Sequence, residues 1–159
     1  MAHPAPILIA ACGNSLAGDD SFGCRVAQRL FHDPPPSSQV IDLATGPSSL
    51  LDCLGDRAAL LIVDAALVPQ LPPGRLIQCD WDAPDRPPLL HAASLSTHHF
   101  SIADQIELAR QLGMLPPIVR LIAVSIASAH LGDDPGPAVM AMVNTAELAV
   151  RRAAQSVFV

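Results

Sequence analysis

Apolar residues run unbroken through 7–11 (Ile-Leu-Ile-Ala-Ala) and 60–63 (Leu-Leu-Ile-Val), with no polar alternation. Such runs are expected of strands covered on both faces, and they predict two central strands of a parallel sheet. Further apolar stretches at 39–43, 75–79 and 119–126 add three more, and the two central strands span 6–12 and 59–64. Between them the period changes to that of a helix. Phe22, Val26 and Leu30 fall on one face, then Pro34-Pro35-Pro36 ends the segment. Ile102, Ile106, Ala109 and Leu112 predict a helix over 101–112 closed by Gly113. Val139, Val143, Ala146 and Val150 predict another over 137–153, and a short one fits 48–54 ahead of Gly55. Strands alternating with helices predict an α/β domain of three layers, a twisted and mostly parallel sheet of about five strands between helices. The whole of 1–159 reads as one domain, since no repeat or second core is visible.

Composition narrows the function. The chain of 159 residues carries a formal charge of -6, lacks Lys and scatters its Arg, so no basic stripe is available to neutralise a phosphate backbone. Nucleic acid is not an expected partner. No apolar run approaches the roughly 20 residues of a membrane span, and the first residues lack a basic region ahead of an apolar core. The expected setting is the cytoplasm, with no membrane partner, and one core predicts a monomer. Cys12, Cys24, Cys53 and Cys79 show no C-x-x-C spacing and read as small core residues.

Ligands of open α/β sheets gather beyond the carboxyl ends of the strands, and three segments bring chemistry there. The loop 12–23 after the first strand holds three Gly and the pair Asp19-Asp20. Its glycines do not follow the dinucleotide spacing, and two carboxylates would repel a pyrophosphate. Those acids also suit the start of the first helix, where they can accept free backbone N–H groups. Asp64 ends an otherwise apolar strand, and a carboxylate there must be paired, metal-bound or at a cleft, because burying it alone costs several kcal/mol. Ser96-Thr97-His98-His99 stands just before a predicted helix, after a long Pro-rich loop over 79–96. Two carboxylates and one imidazole make a mixed oxygen and nitrogen set suited to a borderline divalent metal.

The loop Gly13-Asn14-Ser15-Leu16-Ala17-Gly18-Asp19-Asp20-Ser21-Phe22-Gly23 resembles the first signature of the hydrogenase maturation proteases. Leu61-Ile62-Val63-Asp64-Ala65, Pro73-Gly74, Ser96-Thr97-His98 and the stretch from Gly132 to Val139 follow in the family's order. The resemblance implies a peptidase that removes the C-terminal extension of a hydrogenase large-subunit precursor. It implies Asp20, Asp64 and His98 as both the catalytic and the metal-engaging residues, with nickel supplied by the substrate and no organic cofactor. Hydrolysis would then use either carbonyl polarisation by the metal with water as nucleophile, or base assistance by one carboxylate. A non-catalytic nickel or hydrogenase-assembly binding protein of the same fold is the alternative. Ser21 stands where the family usually has Gly, Thr45-Gly46 retains only part of a second glycine loop, and the connection over 127–136 is short.

Overall fold

The computed structural model describes residues 5–44, 49–87 and 101–159. Its first two elements are β1 (Ile7–Ala11) and α1 (Phe22–His32), joined by a loop that ends in a 3-10 turn over Gly18–Ser21. Then come β2 (Ser38–Asp42), α2 (Leu51–Leu54), β3 (Ala59–Leu67) and β4 (Leu76–Asp80). The chain closes with α3 (Ile102–Gln111), β5 (Ile118–Ile126), α4 (Pro137–Met140) and α5 (Val143–Gln155). The sheet runs in the order β2-β1-β3-β5-β4. The β1, β2, β3 and β5 ladders are parallel, and β4 alone pairs antiparallel, at the edge beside β5.

Both continuous apolar runs are central. Every residue of β1 is buried, as is all of β3 except Leu67. One face of the sheet, with Ile9, Leu61, Val63 and Val124, packs against α1, α4 and α5 through Phe22, Val139 and Val150. The opposite face, with Leu8, Leu60, Ile62 and Ala123, is covered by α2 and α3 through Leu54, Ile102 and Ile106. Helices on both faces explain why these strands need no polar side. Phe22 is fully buried, and its truncation to Ala would cost about 3–5 kcal/mol.

Several expectations about the helices need correction. The last helix is two, because the chain turns at Ala141 and Met142 between α4 and α5; the inward positions Val139, Val143, Ala146 and Val150 are nevertheless all buried. Leu112 is 59% exposed, since the helix ends at Gln111 and Leu112 already belongs to the turn into Gly113 at φ +68. The Ser21 hydroxyl caps no backbone N–H of α1 and instead accepts from Arg25 Nε at 3.0 Å, and Asp19 is engaged elsewhere. The predicted start of α2 at Ser48 lies outside the described residues, as do Thr45 and Gly46. No helix among the described residues is long and apolar enough to cross a membrane.

Candidate active site

From β1 the chain goes outward to β2 on one side, then returns to β3 on the other, so the sheet switches direction between β1 and β3. That is where ligands of open α/β sheets enter. The amide of Cys12 donates to the carbonyl of Val63 at 2.8 Å, after which the chain turns away from the sheet. Gly23, at the start of α1, makes this possible: a Cβ there would stand 2.2 Å from the Cys12 carbonyl oxygen and 2.8 Å from that of Val63. The helix start therefore presses directly on the strand ends.

Asp64 is the next residue of β3, wholly buried and paired in register with Ala123. Strand alternation puts it on the side of Leu60 and Ile62, the face covered by α3. Its Oδ1 accepts the N–H of Ala65 at 2.8 Å. Burial raises its pKa to about 8, against the lowering effect of that hydrogen bond, and the charge of Asp20 raises it further. At neutral pH the acid is therefore largely protonated in the protein alone.

Asp20 reaches this neighbourhood from the 3-10 turn, which packs against β3. Its amide donates to Ala17 at 3.0 Å and its carbonyl accepts from Asn14 at 3.1 Å, so the turn folds back on its own loop. Gly13, at φ +122, permits that closure; a Cβ there would meet the Asp20 carbonyl oxygen at 2.1 Å. Asn14 acts as a turn residue, with Oδ1 accepting from the Leu16 amide at 3.0 Å. Ser21 sits at φ -74, ψ -5, an ordinary right-handed conformation that needs no glycine. The departure from the family pattern at that position thus leaves the turn intact.

The charge of Asp20 is felt at Asp64. His98, the third expected member, lies outside the described residues, with His99, Ser96 and Thr97. The described chain resumes at Ser101, the N-cap of α3, on the same face of the sheet as Asp64.

A third acid went unremarked in the sequence. Asp42 ends β2, is 7% exposed, and its Oδ1 accepts from the Cys24 thiol at 3.6 Å and the Ala44 amide at 2.9 Å. Burial, then the charge of Asp42, pushes the Cys24 thiol up to about 12. Burial also raises Cys12 well above its ordinary value, with Asp64 the next cause. Both shifts disfavour the thiolate that a nucleophile needs. The signal for Asp42 was the one used for Asp64, an acid at the end of a mostly apolar strand. A groove of about 560 Å³ elsewhere is lined by Arg110, Arg120, Asp80 and Asp82 near the amino end of β5. Its two guanidinium groups are already paired with those carboxylates, at 2.7 Å and 3.4 Å.

A mostly parallel α/β sheet with carboxylates gathered at its switch point defines a class of small domain with an acid-lined site. The chain belongs to the hydrogenase maturation protease (HycI) family, which its residues 24–157 match. It is 28% identical over 144 residues to the hydrogenase 2 maturation protease of Escherichia coli K12, covering 88% of this chain and 85% of that one. Over 121 residues it is 31% identical to the hydrogenase expression/formation protein HupD of Rhodobacter capsulatus, covering 75% of this chain. The chain spans about half the length of the first curated relatives it matches, 56% and 51%. Its fold superposes on the hydrogenase maturating endopeptidase HybD of E. coli with a TM-score of 0.77 at 26% identity, over 94% of this chain and 92% of that one.

Proposed function

We propose that this protein is an endopeptidase that removes the C-terminal extension of a hydrogenase large-subunit precursor, and that Asp20, Asp64 and His98 recognise the nickel already carried by that substrate. Family membership supports the reaction. The observation that carries the recognition is the buried Asp64, its proton held to about pH 8 by desolvation with the charge of Asp20 close by. Such a pair is costly to ionise in an empty site. A dication arriving with the substrate offsets the repulsion, and Asp64 gives up its proton as a ligand. The site then distinguishes loaded from unloaded precursor by charge.

Hydrolysis adds water across the scissile amide, the oxygen ending on the new C-terminal carboxyl and a proton on the released amine. Asp20, Asp64 and His98 would hold the substrate's nickel, which would supply polarisation of an oxygen ligand. The chain's own part is to hold the two carboxylates at the switch point. No organic cofactor enters this scheme. The protein works as a monomer in the cytoplasm, where its four thiols, all without disulfide bonds, suit a reducing compartment.

The test is to incubate the purified chain with nickel-loaded and nickel-free precursor and follow loss of the tail by mass spectrometry. Cleavage of the loaded form alone is expected. A stable complex that keeps its tail would assign the chain to the non-catalytic assembly alternative.

A further inference from the structure

Asp19 has no part in the reading above, yet its carboxylate makes the longest-range tie in the signature loop. Its Oδ1 accepts the N–H of Gly136 at 2.6 Å, joining positions 117 apart in sequence. Two backbone bonds of this turn, from Asp20 to Ala17 and from Asn14 to Asp20, are local. They set the shape of the loop and leave its placement against the sheet to longer-range contacts. Gly136 immediately precedes α4, and two residues further on the Ala138 carbonyl presses on Gly74, where a Cβ would stand 2.7 Å away. The amide of Gly74 in turn donates to Ser125 of β5 at 2.9 Å, and the Ser125 hydroxyl donates to Pro72 at 2.6 Å. The segment 68–75 continues from β3, the strand of Asp64. A brace therefore runs from the turn of Asp20, through Asp19 and Gly136, to the loop that leaves the strand of Asp64. Leu16, whose carbonyl accepts from Gly132 at 2.9 Å, adds a second, backbone tie to the same connection.

We infer that Asp19 is a positioning residue for precursor cleavage, fixing through the Gly136 amide the turn that presents Asp20 to the site. This rests on the cleavage reading above. Misplacement of a reacting group by about 1 Å costs on the order of 100-fold in rate, so loss of the bond should show in kcat rather than in KM.

The test compares wild type with Asp19→Asn, Asp19→Ala, Gly136→Pro and the double variant Asp19→Ala/Gly136→Pro on nickel-loaded precursor, well below each Tm. Asn keeps the accepting oxygen. Pro removes the donor at a residue whose φ of -66 suits it, while its ring also crowds Asp19, whose Oδ1 a Cβ at 136 would meet at 3.3 Å; it carries the test if Asp19→Ala does not fold. Expected are a fall in kcat of about 10- to 100-fold for Asp19→Ala and Gly136→Pro with KM within about threefold. Asp19→Asn stays within about threefold of wild type, and the double variant falls no further than the worse single one. Wild-type kcat in both bond-breaking variants, an Asp19→Asn as poor as Asp19→Ala, or multiplying losses in the double variant would overturn the inference. If wild type itself leaves the loaded precursor uncut, the cleavage reading fails, and Ni²⁺ alone, titrated into the same proteins, decides the role of Asp19. Affinity about tenfold weaker in Asp19→Ala and Gly136→Pro but not in Asp19→Asn supports positioning. Equal affinity throughout, or none in wild type, overturns it.

Discussion

The amide of Cys12 donates to the carbonyl of Val63 at 2.8 Å, and at this point β1 leaves the sheet while β3 continues. Asp64 is the first residue beyond that rung. On one side it has Ala123 of β5; on the other, where β1 would have continued, comes the loop that carries Asp20. The difference in length between two neighbouring strands thus leaves Asp64 beside the loop whose Asp20 charge reaches it.

The two acids should differ in what they tolerate. Asp20 is half-buried on a turn, whereas Asp64 is enclosed in a strand. Asp20→Glu is expected to retain cleavage within about tenfold, since a longer side chain can adjust its rotamer there. Asp64→Glu adds a methylene to a closed position, at a cost of about 1–3 kcal/mol, and moves the carboxylate. Cleavage should fall by at least about 100-fold, as in Asp20→Asn and Asp64→Asn. Initial rates on nickel-loaded precursor check this, and full cleavage by Asp20→Asn would remove that residue from the site.

Asp64 also makes stability depend on pH, with a definite sign. Its pKa is about 8 in the folded chain, against about 3.9 unfolded. Between these values the folded state binds the extra proton, so this contribution is full below about pH 4 and is lost as pH rises towards 8, at about 1.4 kcal/mol per pH unit. Asp64→Asn imitates the neutral acid and removes the dependence. Urea midpoints measured from pH 5 to 8 should show the variant gaining on wild type as pH rises, because the other groups titrate in both. Parallel curves would mean that Asp64 ionises normally.

The central strands and Asp64 were legible because an apolar run ended by a carboxylate is conspicuous in sequence. Which of Asp19 and Asp20 faces the site was decided by resemblance, since adjacent acids look alike. The structure separates them physically: Asp19 is held by Gly136, while the charge of Asp20 reaches Asp64. The antiparallel direction of β4 was not legible in its five residues, which carry no mark of direction themselves; the connection from β3 over 68–75 decides it, being shorter than the crossover of about a dozen residues that a parallel strand needs. Nor was the break between α4 and α5, where Ala141 and Met142 are both good helix formers and the apolar spacing carries across the turn. His98 remains an expectation from resemblance.

The start of α3 is set by a reciprocal cap. The Asp104 amide donates to Ser101 Oγ, and the Ser101 amide to Asp104 Oδ2, both at 3.1 Å. The Ser101 hydroxyl, which donates to Asp104 Oδ2 at 2.6 Å, and then the Ser101 amide hold the Asp104 carboxyl below its ordinary pKa. Ser101→Ala should cost about 1 kcal/mol and lower Tm by about 2–4 °C. Calorimetry at neutral pH measures the shift, and an unchanged Tm would show that packing of Ile102 and Ile106 alone fixes this helix.

Two glycines offer the sharpest contrast in the fold. At Gly23 a Cβ would collide with backbone oxygens of Cys12 and Val63, at 2.2 Å and 2.8 Å, and neither can move without breaking the rung beside Asp64. At Gly113 a Cβ meets nothing within 4 Å, and the only cost is its φ of +68. Gly113→Ala should therefore lose about 1–2 kcal/mol and keep its activity. Gly23→Ala must push α1 off the strand ends, and is expected to be either unfolded or folded with cleavage reduced well beyond its loss of stability. Thermal melts together with rates per folded molecule separate the two cases. A Gly23→Ala protein with wild-type Tm and rate would show that α1 does not bear on the acid site through this contact.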